Sequence, residues 1–235
     1  YIMAKLRYLG HSAFYIEGTG LKGLIDPFLT GNPLAAAKPE DFTDINYIFL
    51  THEHKDHLGD AVEIAKRTGA VIVCNTEAAA WLGAKGVKTR GLQVGARVGF
   101  PFGTFKLTPA FHGNTVTDNG VSFYCGLACG VVIEVDGKKV YHSGDTALTM
   151  EMKILEEEKI EVACLPIGSS FTMDVKDAAR AVDFIRPRKA IPMHYAVNPK
   201  ADLYVDPAEF AMAVEERDIM GTDVVILKPG EEIEF

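Results

Sequence analysis

Three histidines and two acidic residues lie together in the stretch Thr51-His52-Glu53-His54-Lys55-Asp56-His57. It follows the apolar run Tyr47-Ile48-Phe49-Leu50, which is typical of a buried strand that ends where the histidines begin. Imidazole nitrogens and carboxylate oxygens are both ligands of transition metals. The stretch therefore predicts a metal site at the end of a strand.

The spacing within this stretch indicates more than one ion. Alternate positions in a short turn can direct His52 and His54 at one centre, with Glu53 facing away. Asp56 and His57 can turn toward a second centre beside it. The chain has seven histidines, so three within six positions are a strong signal. The spacing is neither a His-Glu-x-x-His pair nor a Cys-x-x-Cys pair.

Three further candidate ligands fall where predicted strands end. His112 follows the run 105–111, Asp145 follows strand 138–142 through a Ser-Gly turn, and His194 follows strand 189–193. We expect His112 to be a third ligand of the first metal and His194 to be a ligand of the second. A carboxylate such as Asp145 can also bridge two cations.

The pattern His-x-His-x-Asp-His after a buried strand resembles the signature of the metallo-β-lactamase superfamily. That resemblance implies an α+β fold, a four-layer αββα sandwich with a two-metal site at one edge of its sheets. It also implies that Asp145 is the bridging aspartate. The resemblance spans nearly the whole chain and rests on residues in the expected order: His52, His54, Asp56, His57, His112, Asp145 and His194.

Shorter segments resemble a group of metal-dependent hydrolases whose better-known relative is the ascorbate-6-phosphate lactonase type. These segments are Leu9–Phe14, Ile25–Phe28, His142–Thr146, Phe171–Met173 and Pro192–Tyr195. Oxygen-reducing diiron relatives typically carry glutamate where this chain has His54. RNA-cleaving relatives carry an inserted domain between the aspartate and the last histidine. The interval from Asp145 to His194, 194 − 145 = 49 positions, leaves no room for it.

Four other polar residues are candidates for supporting the ligands or touching substrate. His11 lies in a turn, either at the site mouth or hydrogen-bonded within the turn. Asp26 ends a strand and is expected to orient the stretch 51–57, which we call the histidine loop. The alternative is that Asp26 is an Asp-Pro turn residue. His142 is expected to pack or to support a ligand. Thr172 lies in a loop whose hydroxyls can contact substrate, and Asp174 is expected to cap the next helix.

Composition limits the class of protein. A chain of 235 residues suits one domain, here expected over 1–235 and built from two similar halves, with Met3 as its natural start. A net charge of −8 without a basic patch argues against nucleic acid as a partner, and we see no membrane-spanning stretch. Four dispersed cysteines indicate core residues in a reducing compartment, so we expect a cytoplasmic protein. The sequence leaves the oligomeric state open.

Local patterns predict several further elements. Residues 147–158 have the spacing of a helix, Thr76 is a candidate helix cap, and residues 121–127 and 223–227 have the character of strands.

These observations favour a hydrolase of a small ester, lactone or phosphoester. Two divalent cations about 3.5–4 Å apart would share a water, whose hydroxide form attacks the substrate. Asp56 has a second possible duty as a proton carrier. We expect zinc, with manganese as the alternative. Two other hypotheses are a phosphodiesterase acting on nucleic acid or a lipid headgroup, and a metal-binding or redox module without hydrolase activity.

Overall fold

The computed structural model describes residues 3–196 and 204–235, and in them two large β-sheets pack face to face between helices. The expectation that Met3 is the start concerns Tyr1 and Ile2, which lie outside the described residues. The predicted α+β sandwich is confirmed.

The first sheet has seven strands in the order β16-β1-β2-β3-β4-β5-β6. Strands β16 to β3 pair antiparallel, whereas β3 to β6 pair parallel. The strands are β1 Lys5–Gly10, β2 Ala13–Gly18, β3 Leu21–Ile25, β4 Tyr47–Phe49, β5 Val71–Asn75, β6 Lys88–Leu92 and β16 Glu232–Glu234.

The second sheet repeats this plan, in the order β15-β14-β13-β12-β11-β8-β7. Strands β7, β8, β11 and β12 pair antiparallel, and β12 to β15 pair parallel. The strands are β7 Arg97–Phe100, β8 Gly103–Pro109, β11 Cys129–Val135, β12 Lys138–His142, β13 Val162–Pro166, β14 Lys189–Met193 and β15 Asp223–Val224.

Three apolar clusters hold the layers together. One fills the space between the sheets, and the other two join each sheet to its own helices. The parallel strand β13 is buried along its whole length, as expected for a strand covered on both faces. The α-helices are α1 Lys55–Leu58, α2 Ala61–Thr68, α3 Thr76–Gly83, α4 Val175–Ile185 and α5 Pro207–Glu215. None of the helices within the described residues is long and apolar enough to cross a membrane.

A separate two-stranded hairpin lies beside α3. Its strands are β9 Thr115–Asp118 and β10 Val121–Tyr124. The ring of Phe123 contacts the ring of Trp81 at a centroid distance of 6.5 Å, and Lys85 pairs with Asp118. The hairpin is therefore tied to the helix layer of the first half.

Several local predictions were wrong in detail. The predicted helix over 147–158 is a 3₁₀ helix over Met150–Glu158, whose last residue is held by Arg97, Lys106 and Lys139 of the second sheet. This anchoring is a tertiary contact, which local propensity does not capture.

The other differences concern the ends of elements. Asn75, not Thr76, caps α3, because its side chain accepts a hydrogen bond from the Ala78 amide at 2.8 Å. The predicted strands 121–127 and 223–227 are shorter than expected. Strand β16, which pairs with β1 across the length of the chain, was not predicted.

The parallel strands place the candidate ligands at one edge. Strands β3, β4, β12 and β14 end next to Asp26, the histidine loop, the Ser143-Gly144-Asp145 turn and His194, respectively. Ligands of open α/β sheets bind outside the carboxyl ends of parallel strands. Both sheets present such ends here, so the two halves together form one site.

Candidate metal centre

Three histidines place their ring nitrogens close together. The Nδ1 atom of His54 lies 3.2 Å from Nε2 of His52 and 3.1 Å from Nε2 of His112. Nitrogens bound to one tetrahedral zinc at about 2.0–2.1 Å would lie about 3.3 Å apart. The three residues, which we call the first ligand group, therefore have a spacing that fits a single ion.

Thr51 sets the tautomer of His52. Its hydroxyl donates a 2.6 Å hydrogen bond to Oδ2 of Asp26, and its oxygen lies 3.0 Å from Nδ1 of His52. A hydroxyl has one proton, so the oxygen must accept from a protonated Nδ1. Nε2 of His52 is then the free acceptor that faces the first ligand group. No functional role was assigned to Thr51 from the sequence.

A second ligand group consists of His11, Asp56, His57 and His194, whose ligand atoms lie within 4.8 Å of one another. Nε2 of His11 lies 3.1 Å from Oδ2 of Asp56, and the rings of His11 and His194 are 4.2 Å apart. His11, His57 and His194 are buried. Of the two alternatives for His11, the structure places it at the site.

Asp26 supports both groups from beneath. Its Oδ2 accepts from Nδ1 of His57 at 2.8 Å, and its Oδ1 accepts from the Thr51 amide at 2.9 Å. The bond to His57 leaves Nε2 of that ring free for a metal. Asp26 is fully buried and both of its oxygens are occupied. It thus lies where a residue that orients the histidine loop must lie.

Asp145 lies between the two groups. Its Oδ1 is 3.3 Å from Nε2 of His57, and its Oδ2 is 3.1 Å from Nε2 of His194. The same Oδ2 is 3.7 Å from Nε2 of His112 and 4.0 Å from Nε2 of His52. This single carboxylate is within reach of ligand atoms in both groups.

His142 is placed to support the site, not to bind metal. Its Nε2 donates to the carbonyl of Ser12 at 2.9 Å, and its Nδ1 accepts from the amide of Gly144 at 3.1 Å. Both nitrogens are therefore used by the protein. The ring ties the turn that carries His11 to the turn that carries Asp145.

A contact of Thr172 with substrate stays a prediction. The Thr172 hydroxyl donates to the carbonyl of Met173 at 3.3 Å, and it is the neighbouring Phe171 that lines the cavity. Asp174 caps α4 as expected, accepting from the Asp177 amide at 2.8 Å.

Three site residues adopt a backbone conformation that is rare outside glycine. The φ angles are +60° at His11, +44° at Asp26 and +56° at His194. Such strain persists only where the surrounding structure enforces it, and it concentrates at functional sites. At His11 the carbonyl accepts both the hydroxyl of Tyr8 and the amide of His194.

The environment keeps the ligands in metal-binding protonation states. Burial lowers the pKa of His54 and His112, and it lowers the pKa of His11 to about 4. Neutral imidazoles are the form that binds metal. Burial raises the pKa of Asp145, but the rings of His57 and His194 more than offset it and hold that pKa well below its usual range.

The pKa of His57 is shifted in the opposite direction from the pKa values of His11, His54 and His112. Burial lowers its pKa, but Asp145 and Asp26 outweigh burial and raise the pKa well above the usual value. A positive charge at this position is stabilised by two carboxylates. Either a proton or a metal ion can supply that charge.

The buried polar atoms of the site fit a bound cation. Nε2 of His57, Oδ1 of Asp145 and both ring nitrogens of His194 are buried without a hydrogen-bond partner. Buried polar atoms are seldom left unpaired, and such exceptions mark ion or catalytic sites. Imidazole nitrogens with a shared carboxylate are the donor set of a transition metal.

Glu53 belongs to neither ligand group, but it is not exposed. Its carboxylate is fully buried, and burial raises its pKa to about 8. Its amide donates to Oδ1 of Asn114 at 2.9 Å, which ties the histidine loop to the segment that follows His112. The sequence did not indicate this burial.

The ligand groups open into a cavity of about 900 Å³. His54, Asp56, His112, Asp145 and His194 reach it from the metal side. A volume of this size is typical of a small-molecule site.

Comparison with known proteins defines the class to which this fold and site belong. Residues 23–195 match the β-lactamase superfamily domain. The chain belongs to the metallo-β-lactamase superfamily, as its sequence signature indicated.

Within that superfamily it belongs to the UPF0173 metal-dependent hydrolases. A member from Pyrococcus abyssi is 47% identical over 99% of this chain and 100% of the relative. A member from Carboxydothermus hydrogenoformans is 43% identical over 97% of this chain and 98% of the relative. Among solved structures, Igni18, a metallo hydrolase from Ignicoccus hospitalis, has a TM-score of 0.89 at 37% identity and covers 100% of this chain and 99% of that one. The link to the ascorbate-6-phosphate lactonase type stays a prediction.

Proposed function

We propose that this metal-dependent hydrolase cleaves a small ester, lactone or phosphoester with two divalent cations. The observation that carries the proposal is the position of Asp145 between two groups of ligands. The carboxylate of Asp145 lies 3.3 Å from Nε2 of His57 and 3.1 Å from Nε2 of His194, and both of these buried nitrogens lack a hydrogen-bond partner. A small-molecule substrate suits the cavity volume, and the net charge of −8 makes nucleic acid an unfavourable partner.

The first ligand group and Asp145 would hold one cation, and the second ligand group and Asp145 would hold the other. The three imidazoles of the first group favour zinc. The carboxylate of Asp56 makes the second group harder in character, which keeps manganese as an alternative. His11 brings the second group an additional ring beyond the residues of the sequence signature.

When bound, the metal pair supplies Lewis acidity and a water of lowered pKa. The protein supplies the proton carrier. Asp56 lines the cavity, and its Oδ2 lies 3.1 Å from Nε2 of His11, which orients the carboxylate. At this position it can take a proton from water and return it to the leaving group. The ligand atoms next to Asp56 are held in place by Asp145, His57 and His194.

The test is the metal content of protein purified without added metal, measured by elemental analysis. We expect about two zinc or manganese ions per chain. His57→Ala and His194→Ala should each lower this number. Asp44→Asn is the control, because Asp44 lies in an exposed ion pair with Lys22 outside both ligand groups and its replacement should leave the metal content unchanged.

Three outcomes would change the proposal. Protein without metal, or metal content unaffected by the first two variants, would overturn the site. Iron as the native metal would favour the redox alternative. Two bound zinc or manganese ions without hydrolysis of any ester, lactone or phosphoester tested would leave the metal site standing and overturn the activity.

A further inference from the structure

Part of the cavity lining is apolar. Leu58, Val62, Trp81 and Val116 form it, and we call these four residues the distal wall. They come from four different elements, α1, α2, α3 and β9. Phe171, 63% exposed, stands at the cavity rim on the second half of the chain. The site therefore offers apolar surface next to its ligand atoms.

The distal wall is preformed. All four side chains are partly buried and pack against the apolar cluster between the first sheet and its helices. Trp81 is further fixed by Lys85, whose Nζ lies 4.2 Å from the centroid of the indole. A ligand that covers these side chains does not need to order them first, which favours binding.

The charges near the distal wall cancel. Lys85 forms a 2.5 Å ion pair with Asp118, and both residues line the cavity. Within the described part of the chain, the other cationic side chain that lines the cavity is Lys55, which is exposed at the start of α1. A phosphate or carboxylate placed against Trp81 would lose water, and the neighbouring Lys85 is already paired with Asp118.

We infer that the distal wall is a subsite for an uncharged apolar group, and that the substrates are carboxylic esters or lactones carrying an alkyl chain or ring of medium size. The inference rests on the proposed hydrolase function and narrows it. Water adds to the carbonyl carbon and the carbon–oxygen bond to the leaving group breaks. The alcohol oxygen takes a proton, so the products are an acid and an alcohol, with no redox change.

The subsite predicts a dependence of rate on chain length. Burial of one methylene corresponds to about fourfold in a binding constant. We expect kcat/KM to rise by at least about 30-fold from p-nitrophenyl acetate to p-nitrophenyl hexanoate, because burial will be incomplete. p-Nitrophenyl phosphate should be a poorer substrate than the hexanoate. Equal rates for acetate and hexanoate, or a preference for the phosphate, would overturn the subsite.

Two variants on the β9–β10 hairpin test whether the chain-length dependence arises at the distal wall. Val116→Ser should lower the hexanoate-to-acetate ratio of kcat/KM by about 3-fold to 10-fold. Val121→Ser changes the same residue type on β10 at a position that is 55% exposed, and it should leave the ratio unchanged. Val62→Ser on α2 repeats the test outside the hairpin. An unchanged ratio in both Val116→Ser and Val62→Ser would contradict the assignment.

A binding measurement separates this inference from the proposed function. Trp81 is the single tryptophan of the chain, so its fluorescence reports on the distal wall alone. In zinc-loaded protein, hexanohydroxamate should shift this fluorescence and bind at least about 10-fold more tightly than acetohydroxamate.

Failure of the subsite and failure of the hydrolase activity therefore give different results. A chain-length dependence in binding without ester hydrolysis would sustain the subsite and overturn the activity. Ester hydrolysis with equal or absent fluorescence responses to the two hydroxamates would overturn the subsite and sustain the activity.

Discussion

The two ligand groups draw their residues from different numbers of chain segments and differ in burial. In the first, His52 and His54 come from one turn, and His54 and His112 remain partly open to the cavity. In the second, His11, His57 and His194 come from three separate segments, and all three are buried. Each group takes two ligands from the stretch 51–57, but the second group needs two further segments of the chain where the first needs one.

Backbone conformation follows the same division. His11 and His194 of the second group have positive φ angles, and so does Asp26, which holds His57. The residues of the first group adopt ordinary backbone conformations. The second group therefore depends more on its surroundings, and substitutions in those surroundings should affect it selectively.

The largest effect is expected where the groups meet. Asp145→Ala removes the carboxylate that reaches both, so we expect metal loss from both groups. Changing a residue that merely supports a ligand typically costs about 10–100-fold in affinity or activity. Loss of a shared ligand should therefore lower kcat/KM by more than about 100-fold. Elemental analysis and ester hydrolysis measure the two effects, and retention of two ions would show that the groups are independent.

Removal of the support beneath the second group should have the next largest effect. Asp26→Asn weakens the hydrogen bond to Nδ1 of His57, and we expect kcat/KM to fall by about 10–100-fold. Metal should be lost from the second group first, because Asp26 contacts His57 directly and reaches His52 only through Thr51. A titration with chelator would detect this loss as one weakened ion. Asp44→Asn is the control, because Asp44 lies in an exposed ion pair with Lys22. Equal weakening of both ions would contradict the division.

The residues that could be predicted from the sequence follow the same division between the two groups. The ligands at strand ends were predictable because parallel strands bring their carboxyl ends to one edge. The family signature then specified the order of the ligands. Asp26 was found because a carboxylate at the end of a buried strand needs partners.

Most of the features that the sequence did not reveal depend on contacts between residues that are far apart in the chain. His11 could not be assigned with certainty, because its approach to Asp56 spans 45 positions. Thr51 was passed over, although a hydroxyl next to a ligand histidine is a usable signal for an orienting partner. The distal wall combines four elements whose side-chain directions the sequence does not specify.

Substitutions at two glycines test the difference between the ligand groups without changing a ligand side chain. A Cβ atom at Gly168 would lie 2.2 Å from the carbonyl oxygen of His194 and 3.0 Å from its Nδ1. Gly168→Ala should displace His194, lower kcat/KM by about 10-fold and destabilise the fold by about 1–3 kcal/mol. A Cβ atom at Gly113, beside His112, would meet nothing within 4 Å. Gly113→Ala should therefore be tolerated, and equal losses in both variants would refute the contrast.

The smallest effect is expected at Thr51, whose hydroxyl links Asp26 to His52. Thr51→Val removes the hydroxyl that donates to Asp26 and accepts from His52, while it keeps the shape of the side chain. It should destabilise the fold by about 1–2 kcal/mol, because a buried carboxylate oxygen loses one partner. We expect kcat/KM to fall by about 3-fold to 10-fold, since Nδ1 of His57 and the Thr51 amide still hold Asp26. Thr51→Ser keeps the hydroxyl and should restore activity. If valine and serine behave alike in thermal unfolding and hydrolysis, the hydroxyl does not couple the groups, and each is held by its own contacts.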